Sequence, residues 1–349
     1  MTLLAKRFRA QAEQCERHGS PLTAALLYGA ANDDEAGGPT AAVLASVADE
    51  PSGSVVSLRF AGALHRLVLE RKAPDLATYY PSVGGTAAPG GVWAVAREVV
   101  ARQPDELAVG VRRPVQTNEV GRAAALYGGL LHVAAATGLP IRLLEIGASA
   151  GLNLRPEAFA YEIADGVVLG DPTSPVRLRT PWQGAFPQYD GRLDIASRAG
   201  CDPAPLDPAS AEDRLTLTSY VWADQVDRFE RLRGALQIAA GDPVRVEKLP
   251  GSAFLERELA APVPGVATVV WHSVVRQYLG DGERAALERI LAAAATRASE
   301  DAPLFRLSLE PEQVAHGSFR FLVELSSWPG SPHRVLAECL GHGPPVSWL

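Results

Sequence analysis

Leu143-Leu144-Glu145-Ile146-Gly147-Ala148-Ser149-Ala150-Gly151-Leu152-Asn153-Leu154 is the stretch whose reading decides the fold. With Ile141 ahead of it, the apolar run Leu143, Leu144 and Ile146 predicts a buried strand. Glu145 stands near the strand's end. Small residues and two glycines follow, and then a helical turn can begin. A strand that opens into a glycine turn and a helix start is how α/β proteins hold a ligand beyond the carboxyl ends of their strands. Glycine lets the backbone approach the ligand, and helix-start N–H groups point toward it.

Several readings share this pattern. Gly147-Ala148-Ser149-Ala150-Gly151 spells the nucleophile elbow of α/β-hydrolases, with Ser149 as nucleophile. A serine hydrolase also needs an acid and then a histidine later in the chain. Asp281 or Glu310, followed by His316 or His333, are the candidates. A dinucleotide site wants G-x-G-x-x-G, and Ser149 occupies the second glycine position. A tight strand–helix turn with no ligand is the bland alternative. Finally, Glu145-x-Gly147-x-x-x-Gly151 resembles the first motif of class I S-adenosylmethionine-dependent methyltransferases. That resemblance implies a glycine loop passing under the cofactor with the acid close by.

Upstream lies Pro114-Val115-Gln116-Thr117-Asn118-Glu119-Val120-Gly121-Arg122. Thr117 or Asn118 can cap a helix that runs to Ala136 and delivers the chain into the central strand. The polar groups of Gln116, Asn118, Glu119 and Arg122 are therefore expected at the same cleft as the glycine loop. Plain capping chemistry is the alternative.

Downstream, Val167–Leu169 and Val176–Leu178 suggest a hairpin around Gly170-Asp171-Pro172-Thr173-Ser174-Pro175, read as an insertion at about 160–185. Arg192–Asp202 is the second sheet strand. A helix over about 211–240 and a third strand at Val244–Leu249 follow. After a helix at Ser252–Leu259, the β-branched run Gly265–Ser273 is the fourth strand. A helix over Asp281–Ala298 and a fifth strand at Leu304–Leu309 come next. Phe319–Leu325 and Arg334–Cys339 read as a final antiparallel pair joined through Pro329-Gly330. This alternation predicts a mostly parallel sheet covered on both faces.

Residues 1 to about 112 show helical periodicity instead, with Leu3, Leu4, Phe8, Ala12 and Cys15 on one face. Ser20 is placed to cap a second helix. His65 lies inside a helical run and reads as a packed histidine. The expected organisation is a helical N-terminal region, serving as a lid or substrate wall, and a Rossmann-like α/β domain from 113 to 349.

Composition excludes some functions. The 349 residues are 47% hydrophobic and 21% charged, which suits a packed globular protein. A net charge of −7 argues against a broad electrostatic grip on nucleic acid. Cys15, Cys201 and Cys339 are far apart and form no C-x-x-C pair, so no disulfide framework or cysteine zinc site is expected. The histidines show no H-x-x-x-H spacing. No apolar run is long enough for a membrane span, and the N-terminus lacks a signal-peptide core. A cytoplasmic protein is expected.

The close of the sheet resembles that of class I methyltransferases, whose last strand inserts antiparallel to its neighbours. The segment His272-Ser273-Val274-Val275-Arg276-Gln277-Tyr278 resembles the place in that fold where substrate is met. The resemblance implies an S-adenosylmethionine-dependent methyltransferase on a small molecule. Glu145, Gly147, Ser149, Gly151 and Asn153 would line the cofactor, and Asp202 or Asp207 would take the ribose hydroxyls. His272 would act as base, with Tyr278 and Glu119 beside it and Asn118 and Gln277 on the substrate. Two features depart from true methyltransferases. Ser149 stands where glycine is common, and no Asn/Asp-Pro-Pro-Tyr motif follows the fourth strand.

The chain as a whole resembles a bacterial family known as domain of unknown function 2332. The resemblance is carried by Gly19-Ser20-Pro21-Leu22, the Pro114–Arg122 segment, Leu144–Leu154, Gly170-Asp171-Pro172 and His272–Tyr278. It implies one recurring architecture and leaves the chemistry open, so a non-catalytic protein that keeps the fold is a further reading.

Overall fold

The computed structural model describes residues 2–163, 166–185, 192–315, 318–330 and 333–349. The chain divides into two units: Met1–Thr117 with Ser210–Glu230, and Asn118–Ala209 with Arg231–Leu349. The boundary falls a few residues after the expected one. The second difference is larger, because Ser210–Glu230 belongs with the N-terminal unit.

That unit is helical, as the periodicity predicts. It holds α1 (Leu3–Arg17), α2 (Pro21–Glu35), α3 (Pro39–Leu44), α4 (Val56–Leu69), α5 (Pro74–Ala77), α6 (Val92–Arg102) and α7 (Pro104–Arg112). Helix α8 (Ala123–Thr137) belongs to the second unit, and α9 (Ala211–Ser219) returns to the first, where α10 (Val226–Gly241) also begins. Phe8, Leu27, Phe60, Leu64 and Val99 are fully buried in the core of this unit, each contributing about 1.5–3 kcal/mol by burial. His65 is buried there, bonded to the Ser219 carbonyl at 3.1 Å and Ser82 Oγ at 2.9 Å.

The single helix expected over 211–240 is broken between α9 and α10. Asp224 lies in the break and turns its carboxylate to the start of α2. It accepts the Leu22 N–H at 2.9 Å and the Ser20 hydroxyl at 2.5 Å. Ser20 holds the N-cap position, but its own side chain accepts no helix N–H. A charged acceptor from elsewhere in the chain does the capping.

The second unit carries a nine-stranded sheet. Its strands are β1 (Ile141–Ile146), β5 (Trp182–Gly184), β6 (Ile195–Asp202), β7 (Val246–Lys248), β8 (Ala267–Ser273), β9 (Leu304–Ala315), β10 (Ser318–Trp328), β11 (Arg334–Leu340) and β12 (Gly343–Trp348). The order is β5-β12-β11-β10-β9-β8-β1-β6-β7. From β7 through β9 all neighbours are parallel. The chain winds outward from β1 through β6 to β7, then crosses back to β8 and β9. This puts a topological switch point between β1 and β8, where open α/β sheets bind ligands.

Beyond β9 the expected antiparallel pair is present as β10 and β11, but within a longer run of antiparallel strands. Strands β9, β10, β11 and β12 are successive antiparallel neighbours, and no strand inserts between others. Only two residues separate β9 from β10 in sequence, far too few for a crossover, so β10 must lie antiparallel beside β9. The expected hairpin is also arranged differently. In a small sheet, β2 (Ala160–Glu162) lies between β3 (Val168–Gly170) and β4 (Arg177–Arg179), so β3 and β4 do not pair. Ala160 and Tyr161 are the buried residues and take the centre, whereas Val168 and Leu169 are half-buried.

Leu144, Ile146 and Val270 pack on one face of the main sheet with α11 (Gly251–Glu258) and α12 (Asp281–Ala295). Helix α8 covers the other face. A Cβ at Gly128 would lie 2.1 Å from the Trp348 ring, and one at Gly129 would lie 2.5 Å from Leu307. The glycine pair is what lets this helix sit down on β12 and β9. Among the described residues no helix is long and apolar enough to cross a membrane.

Candidate functional site at the switch point

The glycine loop leaves β1 and folds over the end of β6. Gly147 and Ala148 both donate their N–H to the Cys201 carbonyl, at 2.9 and 3.0 Å. Ser149 donates its N–H to Asp202 Oδ2 at 3.0 Å, and Asp202 Oδ1 accepts from the Ala204 N–H at 2.8 Å. Gly147, Ser149 and Gly151 all have left-handed backbone, with φ of 69°, 52° and 66°. A Cβ at Gly147 would lie 2.5 Å from Val275 Cγ2, so glycine is needed there for space as well as for conformation. Ser149 has no such exemption and carries about 1–2 kcal/mol of strain.

The far side of the loop is held by the segment before α8. Asn118 Oδ1 accepts the Leu152 N–H at 2.8 Å, and Asn153 Nδ2 donates to the Glu119 carbonyl at 3.1 Å. The predicted meeting of this segment with the glycine loop is therefore present. The roles differ from the expected ones. Asn118 caps the turn after the loop rather than its own helix. Glu119 is the residue that starts the helical turn at Val120, accepting the Gly121 N–H at 3.1 Å. Its side chain is buried in this structural task.

These bonds occupy the N–H groups of residues 147, 148, 149, 151 and 152 with protein acceptors. The loop therefore offers few amides to a pyrophosphate, which counts against a dinucleotide. Arg155, which sequence reading missed, lies buried behind the loop. It donates to the Gly151 carbonyl at 2.9 Å and to the Asp242 carbonyl at 2.6 Å. A lone arginine following Leu152-Asn153-Leu154 was the available signal.

Glu145 is buried with its side chain on the α8 face, opposite Trp271 in the β1–β8 register. Among the described residues Glu145 Oε2, the Trp271 indole nitrogen and Asn153 Oδ1 make no well-formed hydrogen bond, although the indole lies near enough to Glu145 to favour its charged form. Burial pushes the Glu145 carboxyl up to about 8, and the Asp202 charge adds to this; the Trp271 indole and the Arg122 guanidinium offset only part of it. Arg122 itself bonds the carbonyls of Gly341 at 3.0 Å and Ser273 at 3.3 Å. Asp202 ends β6, the position from which an acid reaches ribose hydroxyls. One of its acceptor sites holds the loop and another the turn after β6, which leaves further lone pairs for a ligand. Asp207 lies beyond the strand and accepts the Ala209 N–H at 2.8 Å.

On the other side of the switch point His272 is the last residue but one of β8, in register with Ile146. Its Nδ1 bonds Glu310 Oε1 at 2.7 Å. Glu310, buried on β9, also accepts the Val275 N–H at 3.1 Å and the Arg276 N–H at 3.3 Å. His272, Ile146 and Val275 line a cavity of about 240 Å³ between α12 and the sheet, and Val275 is also the residue pressed against Gly147. Gln277 and Tyr278 do not join them. Both are exposed, Tyr278 at 54%, and neither lines the cavity. Of this turn and the residue after it, the exposed Arg276 and the half-buried Leu279 are the ones that border the cavity.

The hydrolase partners are dispersed. Glu310 is bonded to His272, His333 pairs with Glu324 at 3.4 Å, and Asp281 is exposed at the start of α12. His316 lies outside the described residues. Among the described residues no cluster of three His, Cys, Asp or Glu side chains could hold a metal ion.

No curated protein and no solved structure matches the chain. A family model does match over residues 5–348, and by that match the chain belongs to DUF2332, a family of uncharacterized proteins conserved in bacteria.

Proposed function

We propose that this protein is an S-adenosylmethionine-dependent methyltransferase acting on a small molecule, with a methyltransferase-like fold in its second unit. The observation that carries the reading is the buried Glu145 carboxyl near the end of the central strand, whose Oε2 makes no well-formed hydrogen bond among the described residues, beside a glycine loop at the switch point. A buried acceptor without a donor costs about 1–3 kcal/mol. An α-ammonium group would supply donors to Glu145 Oε2 and Asn153 Oδ1, so the residues fit the amino-acid end of this cofactor. Asp202 would take the ribose hydroxyls at the end of β6.

Bound there, the cofactor supplies an electrophilic methyl group. The protein's own part is to position and to move one proton. Glu310 accepts from two backbone N–H groups, as a carboxylate does, and we assign the hydrogen of its third bond to His272 Nδ1. Nε2 is then left with its lone pair, the form a general base needs. It takes the proton that an acceptor hydroxyl or amine gives up, and the Glu310 carboxylate stabilises the imidazolium that results.

Calorimetry with S-adenosylmethionine, S-adenosylhomocysteine and NAD tests the reading. Saturable binding of either sulfur compound, and none of NAD, is expected. Silence with all three would favour a non-catalytic protein. Labelling of Ser149 by a fluorophosphonate would favour a hydrolase.

A further inference from the structure

The 240 Å³ cavity beside His272 has a chemistry of its own. It is smaller than the ~300–1,000 Å³ of sites for drug-sized ligands, so it suits a molecule of about ring size. Leu287 and Leu291 of α12 give it an apolar floor. At its rim Arg306 is matched by Glu288 at 2.8 Å, and Glu324 by His333 at 3.4 Å. The guanidinium of Arg276 has no ion-pair partner among the described residues, and Arg284 reaches Asp281 at no closer than 3.8 Å. His272 Nε2 also has no partner among the described residues. An unengaged imidazole nitrogen thus lies in one small cavity with an apolar floor, and an unengaged, exposed guanidinium stands at its rim.

Both are set by one side chain. Glu310 holds the imidazole through Nδ1 and holds the backbone of Arg276 through its N–H. A single buried carboxylate therefore ties the imidazole of His272 to the backbone from which the Arg276 side chain departs.

We infer that this cavity binds a small carboxylic acid with an apolar ring or branched body, its carboxylate on Arg276 and its hydroxyl or amine at His272 Nε2. Glu310 is the positioning residue for both contacts. As the class of methyl acceptor, the inference rests on the proposed methyl transfer; as a binding site, it stands without it. Arginine suits the task because its planar fork matches a carboxylate.

The test is calorimetric titration of the full chain, without cofactor, with benzoate, 4-hydroxybenzoate, salicylate and 3-phenylpropanoate, and with 4-hydroxybenzyl alcohol as the neutral control. At least one acid should bind saturably, and the alcohol should bind about tenfold more weakly or not at all. Arg276→Gln should weaken the acid about tenfold or more. Ala285→Trp, at an exposed position on the cavity rim, should block binding while circular dichroism shows an unchanged fold. Failure of all four acids to bind below about 10 mM, or binding that neither variant alters, would overturn the inference. A separate titration with S-adenosylmethionine tells the two ideas apart. Acid binding without cofactor binding upholds the site and removes the methyltransferase, and cofactor binding without acid binding does the reverse.

Discussion

Asp202 Oδ2 accepts the Ser149 N–H at 3.0 Å, tying the loop after β1 to the end of β6 across 53 positions of sequence. The same carboxylate accepts the Ala204 N–H through its other oxygen. It therefore closes two turns at once at the edge where the cofactor is proposed to sit. Asp202→Ala would leave the Ser149 N–H buried with no acceptor. A loss of about 2–3 kcal/mol is expected from urea unfolding, with a much smaller loss for Asp202→Asn, which keeps an acceptor. Equal losses in the two variants would show that the bond to Ser149 matters little.

Glu145 gives a pH dependence with a definite sign. Its carboxyl is pushed up to about 8 in the fold from an ordinary value of 4.5. Below the ordinary value it is protonated whether the chain is folded or not, and its burial does no harm. As pH rises from about 4.5 to 8 the unfolded chain releases the proton first, and stability falls by roughly 3–5 kcal/mol. Glu145→Gln cannot release a proton. It should be more stable than the natural protein at pH 8, with the advantage shrinking toward pH 5. Cofactor affinity should move the opposite way, rising with pH toward 8 as the carboxylate forms for the ammonium, and dropping in Glu145→Gln. Urea titrations at the two pH values, paired with calorimetry, check both halves.

His272 and Glu310 separate chemistry from binding. His272→Ala should lower turnover by about 10²–10⁴-fold and leave S-adenosylmethionine affinity unchanged. Glu310→Gln removes the charge that stabilises the imidazolium but keeps an acceptor for Nδ1. It should lower turnover less than His272→Ala does. Undiminished turnover in His272→Ala would remove this histidine from the mechanism.

His65, in the helical unit, sets a second pH effect of opposite direction. Burial lowers it to about 4, and its bonds to Ser219 and Ser82 suit a neutral ring. The unfolded chain takes up a proton near 6.5, so stability is complete above that pH and is lost as pH falls toward 4. About 3 kcal/mol is expected over this window. Unfolding followed at pH 7 and pH 4.5 should show the loss, and a variant in which His65 is replaced by asparagine should show less of it. An identical pH slope in both proteins would contradict the assignment.

The sequence by itself determined the local elements and their order. Apolar runs at Ile141–Ile146 and Ala267–Ser273, a loop with glycines at 147 and 151, and helical spacing before residue 112 are short-range patterns, and each became the element its period implied. The association of Asn118 and Glu119 with the glycine loop was also legible, because α8 leads straight into β1. Tertiary structure decided what depends on partners distant in sequence. Asp224 took the capping of α2 from Ser20, and Glu310 claimed His272 although 38 positions separate them. Tyr278 turned out to solvent, while Glu310 came to hold the backbone at Arg276, which borders the cavity. The meander of β9 to β12 replaced an inserted strand because a two-residue link permits only an antiparallel neighbour. Hydrophobic period is written in neighbouring residues, whereas a buried carboxylate finds its donors only after the strands have been laid side by side.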